Sequence, residues 1–385
     1  MVQAVRSLRE RAARGLRAAA SALAESPRPE PEGEAERLAS YPPPFPAGWY
    51  ALCRSRDLGT RPRRVDALGQ HFVVFRRGSG VAVLDAHCPH MGADLSLGRV
   101  TGDCLSCPFH DWTFEGDGRV AHVPYASAPP KRSLSTRAWA AEERDGFVFA
   151  YVDPEHMARG VVPEPPYRLP SWPGIADGSF VHRGDHDAGI VRMHLQEFAE
   201  NSADTAHFAP LHGQMTLPWS RVPIPGVRIE HDASWETDPE APHTTWFRDQ
   251  AVLSFFGRRV ERTRAQAAIC IAGPGGVVTF HFDVPDVGKI ILYQTHLPVG
   301  PLAQRIHFRW YAERRVPRAL SWYVVGNWVA QWRADIAIWE TKVYRPRPML
   351  VRGDGPILEM RRWYRRFHPT EPAPPAGDST PRATA

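Results

Sequence analysis

The stretch that most limits what this chain can fold into is "CPHMGADLSLGRVTGDCLSCPFH", residues 88–110. Cys88 and His90 stand two apart, Cys107 and His110 three apart, and sixteen residues separate the two pairs. Thiolate and imidazole ligands in such pairs serve either zinc or a [2Fe–2S] cluster held by two Cys on one iron and two His on the other. Each short pair offers one Cys and one His, so each loop can supply one ligand to each iron, and the spacing favours the cluster. Glycines at 92, 98, 102, 116 and 118 let the two loops close around it. Cys104 is not needed as a ligand and reads as a structural thiol.

The surroundings of that stretch are strand-like. "GWYALC", "HFVVFR", "VAVLDA" and "FVFAYV" are short apolar runs separated by Gly, Pro and charged turns, which predicts a small antiparallel β domain over about 47–152. Residues 26–46 and 161–174 are Pro-rich and read as linkers. Beyond them, "GIVRMHLQEFAENSADTAHFA" has helical character. Several strand-like runs follow, then a long helix over roughly 317–343 and a polar tail. The expected organisation is an N-terminal extension (1–46), a cluster-bearing domain (47–160), a second domain (161–367) and a disordered tail (368–385).

Composition excludes several classes. The chain has 385 residues and a net charge of +5, with its basic residues scattered, so no nucleic-acid face is expected. No run is apolar over the ~18 residues a membrane-spanning helix needs. Five cysteines do not make a disulfide framework, and Cys53 and Cys270 read as buried packing residues, which fits a reducing, cytoplasmic setting. The N-terminus "MVQAVRSLRERAARGLRAAASALAE" is a basic amphipathic helix by pattern. It lies on a membrane surface, resembles a transit peptide, or is an exposed extension.

A second metal motif lies at 200–213, "ENSADTAHFAPLHG". Asn201, Asp204 and His207 are spaced three apart and so share a helical face. His212 stands five beyond His207, and Pro210 disfavours a continuous helix, so His212 is expected to fold back from the following turn. Two imidazoles and one carboxylate make the facial triad of non-haem Fe(II) oxygenases. The carboxylate expected is Asp335, which falls within the apolar stripe Trp328, Trp332, Ile336, Trp339 and Val343 of the long helix. A buried unpaired carboxylate is costly, and a cation beside it removes the cost. Pairing with Arg333 is the duller alternative. Asp283, Asp286 and Asp354 sit in turn-like contexts. His194 and His243 read as structural.

C-P-H-M-G-A followed by C-P-F-H-D-W resembles the Rieske domain of ring-hydroxylating and related oxygenases, and N-x2-D-x2-H-x4-H extends the likeness to Rieske non-haem iron oxygenases. Respiratory Rieske proteins carry two further cysteines, where this chain has Ala93 and Phe109. "FPAGWYALC", "ADIAIWETKVY" and "RRWYRRFHP" resemble the sterol- and steroid-acting branch, and the cholesterol 7-desaturases within it most. The resemblance covers about 41–368. It implies an α+β chain: an N-terminal antiparallel β Rieske domain, then a helix-grip (START-like) catalytic domain with an antiparallel sheet and a long C-terminal helix. It implies cluster ligands Cys88, His90, Cys107 and His110, mononuclear iron ligands His207, His212 and Asp335, and Asp204 as a carboxylate bridge between the centres. It further implies a head-to-tail homotrimer and an apolar sterol or steroid substrate. No G-x-G-x-x-G unit follows a strand, so NAD(P)H and flavin belong to a separate ferredoxin or flavin reductase. Cholesterol 7,8-desaturation is the expected reaction. 3-Ketosteroid 9α-hydroxylation and sterol C-4 methyl oxidation are alternatives, as are an electron carrier or a sterol-binding module without oxygen chemistry.

Overall fold

The computed structural model describes residues 33–368, apart from 79, 132, 155–164 and 285. Residues 1–40 form a unit of their own, in which the short helix Glu34–Ala39 is described. The expected amphipathic helix and the tail beyond 368 lie outside the described residues.

From Tyr41 the chain opens with eleven short strands in three antiparallel sheets. β1 (Gly48–Arg54) pairs with β11 (Phe147–Val152), which pairs with β10 (Ala141–Arg144). A second sheet runs β2 (Arg63–Ala67), β3 (Gln70–Arg77), β4 (Gly80–Asp85) and β9 (Ala138–Trp139). A third runs β5 (Arg99–Thr101), β6 (Cys104–Ser106), β7 (Thr113–Phe114) and β8 (Val120–His122). β11 is buried at every position, as its unbroken apolar run "FVFAYV" requires of a strand covered on both faces.

The second half is one nine-stranded antiparallel sheet. Its order is β12 (Phe180–Val191), β20 (Ala303–Glu313), β19 (Gly288–Gly300), β18 (Val277–Val284), β17 (Ala265–Ala272), β15 (Thr244–Phe255), β14 (Pro223–Thr237) and β13 (Gln214–Thr216), with β16 (Arg258–Arg259) beside β15. Among the described residues, three helices of eight residues or more accompany it: α1 (Leu195–Ala203), α2 (Arg318–Thr341) and α3 (Ile357–Tyr364). α2 agrees with the expected long helix. It packs Val325, Val329, Trp332 and Trp339 into the same apolar cluster as the sheet residues Phe247, Phe280 and Phe308. This is the α+β, helix-on-sheet arrangement expected. Val343, placed in the sequence stripe, lies past the helix end and is half exposed.

The helix expected from Gly189 onward is shorter than its pattern suggested. Gly189–Val191 finish β12, and α1 starts only at Leu195, where the buried His194 accepts a hydrogen bond from Gln196 N through its ring. α1 stops at Ala203 because another segment presses on it there. Gly355, at φ +87°, passes so close that an added Cβ would lie 2.1 Å from the Ala203 carbonyl oxygen. Asp204 is thus the C-cap of α1 and His207 lies beyond it, so Asn201, Asp204 and His207 do not share one helix face.

α1 is pinned from its other side by charge. Lys342 Nζ lies 2.7 Å from Glu197 and 3.2 Å from Glu200, and Arg361 holds Glu200 through Nε (2.7 Å) and Nη2 (2.9 Å). Tyr41 donates to Glu197 at 2.6 Å. Burial alone would raise the Glu200 carboxyl, but the Arg361 hydrogen bond and the charges of Lys342 and Arg361 outweigh it and hold it below the usual range. Its contribution is therefore present above the unfolded carboxyl's pKa and fades as pH falls through the lowered one. Removing one partner of a buried pair strands the other. Arg361→Ala is expected to cost about 3 kcal/mol, Lys342 still facing Glu200. A denaturation midpoint unchanged from the parent protein at neutral pH would refute this role.

Candidate active site

The two Cys–His pairs sit on adjacent loops. Cys88 and His90 lie between β4 and β5, and Cys107 and His110 lie between β6 and β7. Each loop closes on itself by hydrogen bonds at its cysteine. Cys88 N donates to Ala93 O and Gly92 N to Cys88 O, both at 2.8 Å; Cys107 N donates to Trp112 O (2.8 Å) and Asp111 N to Cys107 O (3.2 Å). The loops touch at Gly98, where a Cβ would meet Ser106 O at 2.0 Å, so only glycine fits. The thiols of Cys88 and Cys107 are buried and within hydrogen-bonding reach of each other. The rings of His90 and His110 stand 4.7 Å apart and are only partly covered. His90 stacks on Trp112 at 4.6 Å, and Trp112 Nε1 donates to Tyr125 Oη at 2.8 Å. Two thiols inside and two imidazoles outside suit a cluster with one iron buried and the other near the surface. Met91, Leu97, Phe109 and Tyr125 are 60–76% exposed around that tip.

The second constellation is deeper. Phe208–His212 form a π-helical turn containing Pro210. The wide turn, not a fold-back after the proline as expected, brings residues five apart onto one side, and the rings of His207 and His212 are 5.0 Å apart. Asp335 reaches them from α2, with Oδ1 3.1 Å from His212 Nε2. One ligand atom from each of His207, His212 and Asp335 lies within 4.8 Å of the others. The Nδ1 of each imidazole is already engaged: His207 with the backbone carbonyl of Asp204, and His212 with Gln331 Oε1 at 3.3 Å. Gln331 in turn donates to Gln214 O. Such outer partners fix which ring nitrogen faces the site, here Nε2 of both; that of His207 lies 3.2 Å from Asn201 Nδ2. Asp335 is 5% exposed, and apart from the approach of His212 Nε2 its Oδ1 has no hydrogen-bond partner among the described residues. Arg333, the alternative partner, donates to Trp219 O instead. A buried carboxylate whose one neighbouring polar atom is an imidazole Nε2, with a second imidazole beside it, fits a divalent cation.

Asp204 stands apart from the three. Its carboxylate is 40% exposed, and Oδ1 accepts a hydrogen bond from His207 N at 3.3 Å. Of the weaker carboxylate candidates, Asp354 accepts from Val351 N and Asp283 faces Lys289. His194 stacks on Tyr41 and His243 on Tyr167. All five cysteines are unpaired; burial pushes the Cys53 thiol up to about 11 and Cys270 up to about 12, so both are inert packing groups.

The triad opens on a cavity of about 330 Å³ between α2 and the sheet. Asn201, Phe208, Phe247, Trp328 and Trp332 are among its walls. The sheet contributes Ala251, Ala265 and Ala267, neighbours in register, whose small side chains leave room for a broad, flat occupant. Cavity lining from β strands was not legible in the sequence, because alternation says which residues share a face and not which face is concave.

Residues 48–139 match the Rieske [2Fe-2S] domain family, and residues 151–368 match the 3-ketosteroid 9alpha-hydroxylase C-terminal domain family. The chain belongs to the Rieske oxygenases. Within them it falls in the branch that holds cholesterol 7-desaturases and 3-ketosteroid 9α-hydroxylases. A cholesterol 7-desaturase of Ciona intestinalis is 33% identical over 351 residues, covering 86% of this chain and 70% of the relative. A cholesterol 7-desaturase of Caenorhabditis elegans is 32% identical, covering 88% and 80%. Dicamba monooxygenase bound to dicamba superposes with a TM-score of 0.59 at 19% identity, covering 85% of this chain and 98% of that one, which shows the shared fold. Rieske oxygenases carry a [2Fe–2S] cluster and a mononuclear iron, and take their electrons from a separate reductase.

Proposed function

We propose that this protein is the terminal oxygenase component of a sterol- or steroid-oxidising system, with cholesterol 7,8-desaturation as the leading reaction. The observation that carries the reading is the His207–His212–Asp335 triad at the wall of a large, mostly apolar cavity. Relatives named as cholesterol 7-desaturases favour the desaturation, and the match of the C-terminal domain favours 3-ketosteroid 9α-hydroxylation as the second reading.

In this proposal Cys88, His90, Cys107 and His110 hold the cluster, and His207, His212 and Asp335 hold the iron. The bound centres supply one-electron transfer and activation of O2. The chain's own part is to place and to shield. Gln331 and the Asp204 carbonyl orient the two imidazoles, and the aromatic and aliphatic walls exclude water and hold the substrate's C–H bond toward the triad. Asp204 carries the electron path between the centres. Within one chain, the cluster loops rest on a different apolar core from the triad. The half-exposed Asp204 and the exposed apolar rim around His90 and His110 support a head-to-tail homotrimer, in which one subunit's rim docks beside the next subunit's Asp204. Cytoplasmic residence, with surface contact through the basic amphipathic N-terminus, completes the proposal; among the described residues no helix is long and apolar enough to cross a membrane.

Anaerobic reconstitution with a surrogate reductase, followed by mass spectrometry of products from cholesterol, 3-ketosteroids and 4-methylsterols, tests the assignment. Iron analysis separates the classes: about three irons per chain for the oxygenase, about two for an electron carrier. Two irons and no oxygen uptake with any of these steroids would end the proposal.

A further inference from the structure

The sheet's side of the cavity is apolar at nearly every inward position, with one paired exception. β14 contributes Ile229 and His231; β15 contributes Phe247, Asp249, Ala251 and Leu253. His231 Nδ1 lies 2.7 Å from Asp249 Oδ2, and their side chains are 13% and 8% exposed. The second atom of each group, His231 Nε2 and Asp249 Oδ1, has no partner among the described residues. Placing an imidazole and a carboxylate among aliphatic side chains is costly unless their hydrogen bonds are completed. The pair takes no part in the metal site, but it is close to it. Phe208 lies between, with its ring 5.3 Å from His212 and 4.9 Å from His231.

We infer that His231 and Asp249 are the polar anchor of the cavity, and that His231 Nε2 accepts a hydrogen bond from an alcohol on the steroid nucleus. This inference rests on the sterol reading above and sharpens it. The chemistry is one of donor and acceptor. An ionised carboxylate only accepts, so the proton of the neutral imidazole sits on Nδ1, facing Asp249, and Nε2 presents a lone pair. A lone pair binds a hydroxyl hydrogen and has nothing to offer a ketone. The dyad therefore selects a hydroxysteroid over the matching ketosteroid, and fixes which carbon lies toward the triad. That choice separates the two leading substrates. A site built to hydrogen-bond a hydroxyl discriminates strongly against an analogue that cannot donate, because its own buried groups are then left unpaired. Ala265 and Ala267, which pair with Ala251 and Asp249, leave space beside the dyad for the ring that bears the alcohol.

The test measures equilibrium binding of 5α-cholestan-3β-ol and 5α-cholestan-3-one, which differ only at the 3-oxygen, to the iron-replete protein without O2. The parent protein is expected to bind the alcohol about tenfold more tightly, or better. His231→Phe keeps the ring volume and is expected to erase that preference with both iron centres retained. Asp249→Asn is the decisive variant. An amide that donates to Nδ1 moves the imidazole proton to Nε2, as an Asp→Asn change does to the histidine of a serine-protease triad. The preference should then turn toward the ketone. A purely structural dyad would lower stability in both variants and leave the alcohol-to-ketone ratio untouched. An unchanged ratio in both variants overturns the anchor while leaving the sterol reading intact. Failure of both compounds to bind the parent protein sinks the sterol reading, and the anchor with it.

Discussion

Asp335→Ala should leave the Rieske absorption and EPR signals at full strength, remove the mononuclear iron and lower substrate oxidation by about a thousandfold or more. The effect is large because the three ligand atoms form one site and two imidazoles alone do not complete the triad. The apo-protein should not lose stability. Asp335 is 5% exposed and its Oδ1 meets no polar atom but His212 Nε2, so without metal its buried carboxylate is a cost, and alanine is the best helix former at a position inside α2. A structural ion pair with His212 predicts the reverse: the metal-free melting temperature would fall, and iron content would change little. Iron analysis beside metal-free thermal denaturation distinguishes the two on the same preparation.

Asp204→Asn should retain both centres and separate them electrically. Asp204 lies outside the group of atoms that can share one ion, so metal content is expected to match the parent protein. Its half-exposed carboxylate touches the site through His207, at the backbone N (3.3 Å) and, at 3.9 Å, ring Nδ1. Loss of an outer partner of this kind costs about 10–100-fold where it tunes a metal ligand. Where it carries the electron path, the loss should be at the upper end or beyond. Rapid mixing of reduced protein with O2 and substrate reads this directly: cluster oxidation should slow about a hundredfold, with the spectra of both centres at rest unaltered. Parent-like turnover in the variant would remove Asp204 from the path.

The structure also shows why the motifs that carry the family likeness belong together. "IWETK" and "RRWYRRF" are separated by a loop and the first turn of α3, yet Lys342 and Arg361 converge on Glu197 and Glu200 of α1. That helix leads into Asp204 and His207. The C-terminal segment therefore acts on the candidate metal site at a distance, by holding the helix before it and, through Gly355, by setting where that helix stops. Neither contact could be read from local pattern, since each joins residues more than a hundred positions apart.

What could be read from the chain alone was whatever depends on neighbours in sequence. Cys88 with His90, Cys107 with His110, and His207 with His212 are each close enough that one loop or one turn presents both, so spacing limits their chemistry. Apolar periodicity likewise exposed α2 and placed Asp335 inside its buried stripe. Packing decided the rest. Whether positions 207 and 212 share a side depended on a π-helical turn, not on the bend expected at Pro210. Which wall of the nine-stranded sheet is concave, and that His231 and Asp249 meet on it, depended on strand register. Periodicity assigns a residue to a face; only the tertiary fold determines what stands opposite, because that is fixed by long-range pairing whose partners leave no local trace.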